Sequence, residues 1–133
     1  MVEFPYRKEE SELLGIVYRP IAAVHFIIED NEILEFMYVD SGADITIVPK
    51  SMGELLGFES SREIKTIYAI GQNPIPIIIK KVQMKIGDHR FLARVGWCLQ
   101  ENVPLLLGRL DVFDRFSVTF DEFNKKIIFK PNK

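Results

Sequence analysis

The chain holds a single cysteine, Cys98, so no disulfide can form within it, and the expected setting is a reducing one. Histidine is nearly as scarce: His25 and His89 stand too far from each other and from Cys98 to suggest a metal site, and none is expected. There is no basic excess. Seventeen lysines and arginines against nineteen aspartates and glutamates leave a formal charge of −2, which argues against a nucleic-acid partner. Long apolar runs are missing too, since the longest, residues 75–79, is broken by Pro76 and falls far short of a membrane span. The opening residues are charged and lack the apolar stretch of a secretory signal. The expectation is a cytoplasmic protein with no cofactor and no membrane contact.

The 133 residues suffice for one domain, and 47% of them are apolar, enough for a core without covalent staples. Seventeen are isoleucine, a β-branched residue that favours strands. Residues 1–12 are charged, contain Pro5 and show no periodicity, so they read as a flexible arm ahead of a domain spanning 13–133. Strands are expected over residues 13–19 and 21–28, split by Pro20, and over 33–39 after a turn at 29–32. A short strand over 45–48 leads to Pro49 at a helix start, with Met52, Leu55 and Leu56 at helical spacing and Gly57 as the stop. Gly53 costs such a helix about 1 kcal/mol relative to alanine.

Residues 63–70 and 75–86 form a long hairpin across Gly71-Gln72-Asn73-Pro74. In its second strand Val82, Met84 and Ile86 share one face, while Ile75, Ile77 and Ile79 lie on the other. Such a change of face predicts a tip that reaches off the body of the domain. Strands at 91–97 and 104–107, a helical turn around Val112, Phe113 and Phe116, and a hairpin of 117–120 with 126–129 complete an all-β, barrel-like domain with one or two short helices.

Three segments could carry chemistry. Asp40-Ser41-Gly42-Ala43-Asp44 has the letters of an ordinary turn, yet Tyr38 and Val39 before it and Ile45, Ile47 and Val48 after it anchor it between apolar strands. An acid held there is either a satisfied structural carboxylate or a tuned functional one. Leu105-Leu106-Leu107-Gly108-Arg109 reads alone as a core strand ending at a glycine. Ala69-Ile70-Gly71 is a turn or a mobile lid.

In this order, over residues 13–129, the three segments resemble the retropepsin family of aspartic proteases, which carry a D-[ST]-G-A loop, a flap and an apolar-apolar-Gly-Arg segment. The resemblance implies a retropepsin-like barrel with its active site at a homodimer interface, and an endopeptidase acting on extended, apolar-containing peptides. It makes Asp40 the catalytic acid, with Ser41, Gly42 and Ala43 supporting the loop. Asp44 would contact the substrate main chain and form a bidentate pair with Arg109, next to Gly108. Ile70 and Gly71 would close over the peptide. Ile47, Ile70 and Leu106 are candidate pocket walls or, equally, plain core, and residues 127–129 are a candidate dimer contact. The helix after Pro49 is longer, and the Gly71-Gln-Asn-Pro tip poorer in glycine, than in minimal viral members. Only one Asp-Ser-Gly occurs, so the paired carboxylates of this chemistry require two chains on a two-fold axis. The alternative is a non-catalytic dimer of the same fold that binds an extended segment of a partner protein.

Overall fold

The computed structural model describes residues 1–68 and 74–132. Its main body is a seven-stranded sheet that curls until two of its strands meet. The first two are β4 (Ile21–Ile28) and β5 (Asn31–Val39), an antiparallel hairpin whose turn is closed by Glu29 at positive φ. Next come β6 (Thr46–Val48), β7 (Ile64–Ile67), β8 (Ile75–Ile86), β9 (His89–Cys98) and β10 (Leu106–Leu107). Their spatial order is β4-β5-β10-β6-β9-β8-β7, and a further β4–β8 pairing closes the barrel. That pairing gives β4 a neighbour on both sides and leaves β7, paired with β8 alone among the described residues, as the remaining edge.

Inside lie Val24, Phe26, Met37, Val48, Ile78, Met84, Val95 and Leu107, all at most 2% exposed. The long strand β8 serves two environments. Ile78, Val82, Met84 and Ile86 enter this main core, whereas Ile77 enters a smaller cluster with Ile47 and Cys98. The change of face read from the sequence is therefore real; the tip expected to reach off the body, at residues 69–73, lies outside the described residues. Ile77 is 1% exposed and packs on the body of the domain; the face beyond Pro74 covers a second core.

One helix, α1 (Lys50–Leu55), follows β6 directly. Pro49 caps it in an extended conformation, and Gly57 ends it in the left-handed region at φ +77°. The glycine inside the helix has a packing reason. A Cβ on Gly53 would stand 2.1 Å from the Trp97 indole nitrogen, and that indole donates to the Lys50 carbonyl at 3.1 Å. Gly53 thus lets the helix lie flat on Trp97, which offsets its poor helix propensity. The helical spacing at Val112, Phe113 and Phe116 gives only turns, with the Phe113 and Phe116 N–H groups bonded to the Arg109 and Val112 carbonyls.

The expected flexible arm is corrected. β1 (Val2–Pro5) pairs with β12 (Lys126–Pro131), which also pairs with β11 (Phe116–Asp121), so the amino terminus is a strand of a three-stranded sheet. Phe4 meets Phe129 edge to face at 5.9 Å, giving that strand an apolar anchor that its charged neighbours mask in the sequence. β2 (Arg7–Ser11) and β3 (Gly15–Arg19) form a separate two-stranded hairpin. Because β12 is paired on both edges within its own chain, it has no open edge to offer a second copy. No helix among the described residues is long and apolar enough to cross a membrane.

Candidate active site

The Asp40 loop is shaped by the strand that passes behind it. β5 ends at Val39 and the chain turns through residues 40–45 into β6; β10 slots between these two strands, parallel to β5 and antiparallel to β6. The Asp40 N–H donates to the Leu107 carbonyl at 3.0 Å, and the Arg109 and Leu110 N–H groups donate to the Ala43 and Asp44 carbonyls at 2.9 Å. Three backbone positions of the loop are therefore pinned by one crossing segment. Within the loop the Gly42 N–H donates to Asp40 Oδ1 at 2.9 Å, and the Ala43 N–H donates to the Asp40 carbonyl. The Asp40 carboxylate is half-buried, and Ser41 and Gly42 are exposed beside it.

Gly108 is where the crossing is tightest. A Cβ there would lie 2.4 Å from the carbonyl carbon and oxygen of Ile45 and 2.8 Å from the Thr46 nitrogen. All three are backbone atoms, so no rotamer change could make room. The Gly108 N–H donates to Thr46 Oγ1 at 3.0 Å, and Thr46 is fully buried. Thr46 was not among the residues singled out from the sequence, although a lone hydroxyl between Ile45 and Ile47 was the available signal.

Asp111, also absent from the sequence-based set, locks the same segment from the other side. It sits at φ +64° and accepts from the Arg94 backbone N–H at 2.9 Å and from the Arg94 guanidinium at 2.9 and 3.0 Å. The guanidinium bonds hold the Asp111 carboxyl below its ordinary pKa, against the opposing push of burial. This is the bidentate pair of the region. The one expected between Asp44 and Arg109 is instead a single 3.9 Å approach between exposed side chains, and Arg109 acts on the loop through its backbone. An ion pair so exposed adds little to stability.

Asp40, Gly42, Ala43 and Asp44 open onto a cleft of about 1220 Å³. Ile45, Ile47, Val103 and Leu106 line it on the barrel side, with Thr66, Ile67, Tyr68 and Ile75 from the β7–β8 hairpin. Ile47 and Leu106 border the cleft, and Ile47 also packs in the second core. Ile70 and Gly71 lie outside the described residues. The loop bearing Gln100, Asn102 and Val103 is tied to α1, since the Ser51 N–H and hydroxyl both donate to the Glu101 carboxylate, whose pKa they lower. The cleft is therefore a trough of mixed character, with apolar side chains along it, two carboxylates on its rim and Thr66, Gln100 and Asn102 among its polar groups. That composition suits an extended peptide, which needs main-chain partners and apolar pockets at alternate residues.

No family model matches the chain, and no curated protein sequence does either. Among solved structures it is similar to EIAV protease complexed with the inhibitor HBY-793, with a TM-score of 0.55 at 18% identity over 74% of this chain and 86% of that one. At that identity the likeness speaks for architecture: the chain has the retropepsin-like fold, a closed barrel whose Asp-Ser-Gly loop is braced by a crossing Leu-Leu-Gly-Arg segment.

Proposed function

We propose that the protein is an aspartic endopeptidase that acts as a homodimer, with the two Asp40 carboxylates facing each other across a two-fold axis. The observation that carries the reading is the bracing of the Asp40 loop by Leu107, Gly108 and Arg109 at the rim of a cleft partly lined by apolar side chains. A loop pinned on both sides holds its carboxylate in place before substrate arrives, which is what electrostatic preorganisation requires. One chain supplies one such acid; two carboxylates about 3 Å apart cannot both ionise, so they share a proton and split the acid and base roles. Aspartic proteases are the standard example of such a shared proton.

In the reaction, the ionised carboxylate takes a proton from water, and the resulting hydroxide adds to the scissile carbonyl carbon. The protonated partner gives its proton to the carbonyl oxygen, forming a neutral diol. The diol then collapses: the first carboxyl passes its proton to the amide nitrogen, the second carboxylate takes a proton from a diol hydroxyl, the C–N bond breaks, and the products are a carboxylic acid and an amine, with the shared proton back on the dyad. Ser41 would tie one loop to the other across the axis, Asp44 would meet the substrate main chain, and Ile47 and Leu106 would receive apolar side chains.

Asp40→Asn tests the reading. Cleavage of an apolar reporter peptide should fall to background while sedimentation still shows a dimer. Cleavage that persists in this variant removes the dyad mechanism. A wild-type dimer that binds the peptide tightly without cutting it would establish the binding-module alternative.

A further inference from the structure

The β2–β3 hairpin is the part of the molecule that the barrel does not explain. Its strands pair only with each other, and a lone two-stranded hairpin in water is marginal by itself. Its apolar residues face outward: Leu13 is 88% exposed, Leu14 70%, Ile16 55% and Tyr18 43%. Leu13 and Leu14 form the turn itself, where polar residues would be ordinary. Phe123 in the β11–β12 turn is 92% exposed, and Lys125 of that turn stands 5.6 Å over the Tyr18 ring.

Where the hairpin leaves the barrel is informative. Pro20, which joins β3 to β4, accepts a hydrogen bond from the Val39 N–H at 3.0 Å, so the hairpin departs at the end of β5 that carries Asp40. It is also fastened there. The Tyr38 hydroxyl donates to Glu9 at 2.8 Å and accepts from Arg7 at 3.1 Å, two residues before the acid. Glu9 holds its charge firmly at this joint, its pKa lowered first by the Tyr38 hydroxyl and then by Arg7. From this root five residues of strand reach roughly 16 Å. The dyad requires a second chain opposite Asp40, and the exposed leucines are carried on a stem rooted beside that acid.

We infer that the β2–β3 hairpin is a clasp that grips the second copy of this chain, with Leu13, Leu14 and Ile16 buried against it in the dimer; the inference rests on the dyad reading above. Burial there removes the exposed apolar turn from water and gives the hairpin the third layer it lacks alone. The clasp also couples dimer formation to Asp40 through the Tyr38–Glu9 joint.

Sedimentation velocity over a wide concentration range, with peptide cleavage measured in parallel, tests the clasp on the full chain. Leu13→Asp with Leu14→Asp should raise the dimer dissociation constant by at least about ten-fold, the loss expected for truncating central interface residues. Cleavage should drop at low concentration and return at high concentration, with an unchanged melting curve at a concentration where both chains are monomeric. Leu13→Ser with Leu14→Ser, which adds no charge, should shift dimerisation in the same direction and decides the matter if the aspartate pair unfolds. Dimerisation like wild type in both variants overturns the clasp and leaves the peptidase reading intact. Cleavage by Asp40→Asn overturns the peptidase reading instead, and a wild-type chain that stays monomeric throughout overturns both.

Discussion

Gly108→Ala is the sharpest probe of how the loop is built. Ordinary contact begins near 3.4 Å, and the new methyl would start 2.4 Å from the Ile45 carbonyl, so β10 must withdraw by 1.0 Å. It has nowhere to go cheaply. Leu106 is paired with Tyr38 on one side and Ile47 on the other, and Asp40 hangs from Leu107. Overpacking of this kind costs about 1–3 kcal/mol, and pulling the Gly108 N–H off the buried Thr46 hydroxyl adds about 1–3 kcal/mol. The expected loss is therefore about 2–6 kcal/mol, a large fraction of the 5–15 kcal/mol that typical domains possess. At roughly 4 °C per kcal/mol for a chain of this length, the melting temperature should fall by at least about 8 °C. Trp97 is the single tryptophan and only 5% exposed, so its fluorescence reports unfolding in urea directly. Gly57→Ala is the control: that glycine has positive φ but open space, and should lose only about 1–2 kcal/mol. If Gly108→Ala costs no more than Gly57→Ala, the crossing is not the steric lock described here. Activity should vanish in the folded fraction as well, because displacing Leu107 releases the Asp40 N–H.

Thr46→Val keeps the shape of the side chain but strands the buried Gly108 N–H, so urea unfolding should show a loss of about 1–3 kcal/mol, while Thr46→Ser keeps the bond and loses less of it. Asp111→Asn should show a stability deficit that depends on pH: Asp111 titrates below its unfolded value, so its contribution is complete above the unfolded pKa of about 4 and disappears as pH falls through the lowered one. Unfolding free energies of wild type and Asp111→Asn should converge in strong acid, and a gap that stays constant from neutral pH downward would show that charge plays no part in the Arg94 clamp.

Much of this architecture was legible from one-dimensional pattern because the pattern is local. The hairpin of β4 and β5, the split at Pro20 and the stop at Gly57 all follow from turn chemistry and alternation within a few residues. What escaped was long-range. The Thr46 hydroxyl meets Gly108 across 62 positions, and no periodicity announces such a pair. Asp111 and Arg94 join across 17 residues, each reading as a solvated charge. Residues 1–12 looked unstructured because Val2 and Phe4 alternate with exposed neighbours over only four positions, while their partner strand lies at the other end of the chain. The Asp44–Arg109 pair shows the opposite error: two charges at suggestive positions whose backbones interact and whose side chains scarcely do.

The carboxylates of the protein sort into two kinds, and the sorting bears on the proposed chemistry. Asp111, Glu101 and Glu9 each accept several donors, from Arg94, from Ser51, and from Tyr38 with Arg7, and each is held below its ordinary pKa. They brace the segment after Gly108, the cleft loop at residues 99–104 and the root of the hairpin respectively. Among the described residues, the Asp40 side chain accepts from the Gly42 N–H alone. The supports are thus built to stay ionised into acid, while the acid at the cleft is left with capacity for water, for substrate or for its symmetry mate. On acidification, braces with lowered pKa values give up their charge later than ordinary carboxylates do. A pair of close carboxylates retains one proton, because the second ionisation is opposed by the first. A barrel whose bracing acids are held below their ordinary pKa keeps those braces further into acid than free carboxylates would allow, and an acid-acting dyad on this scaffold would require such braces.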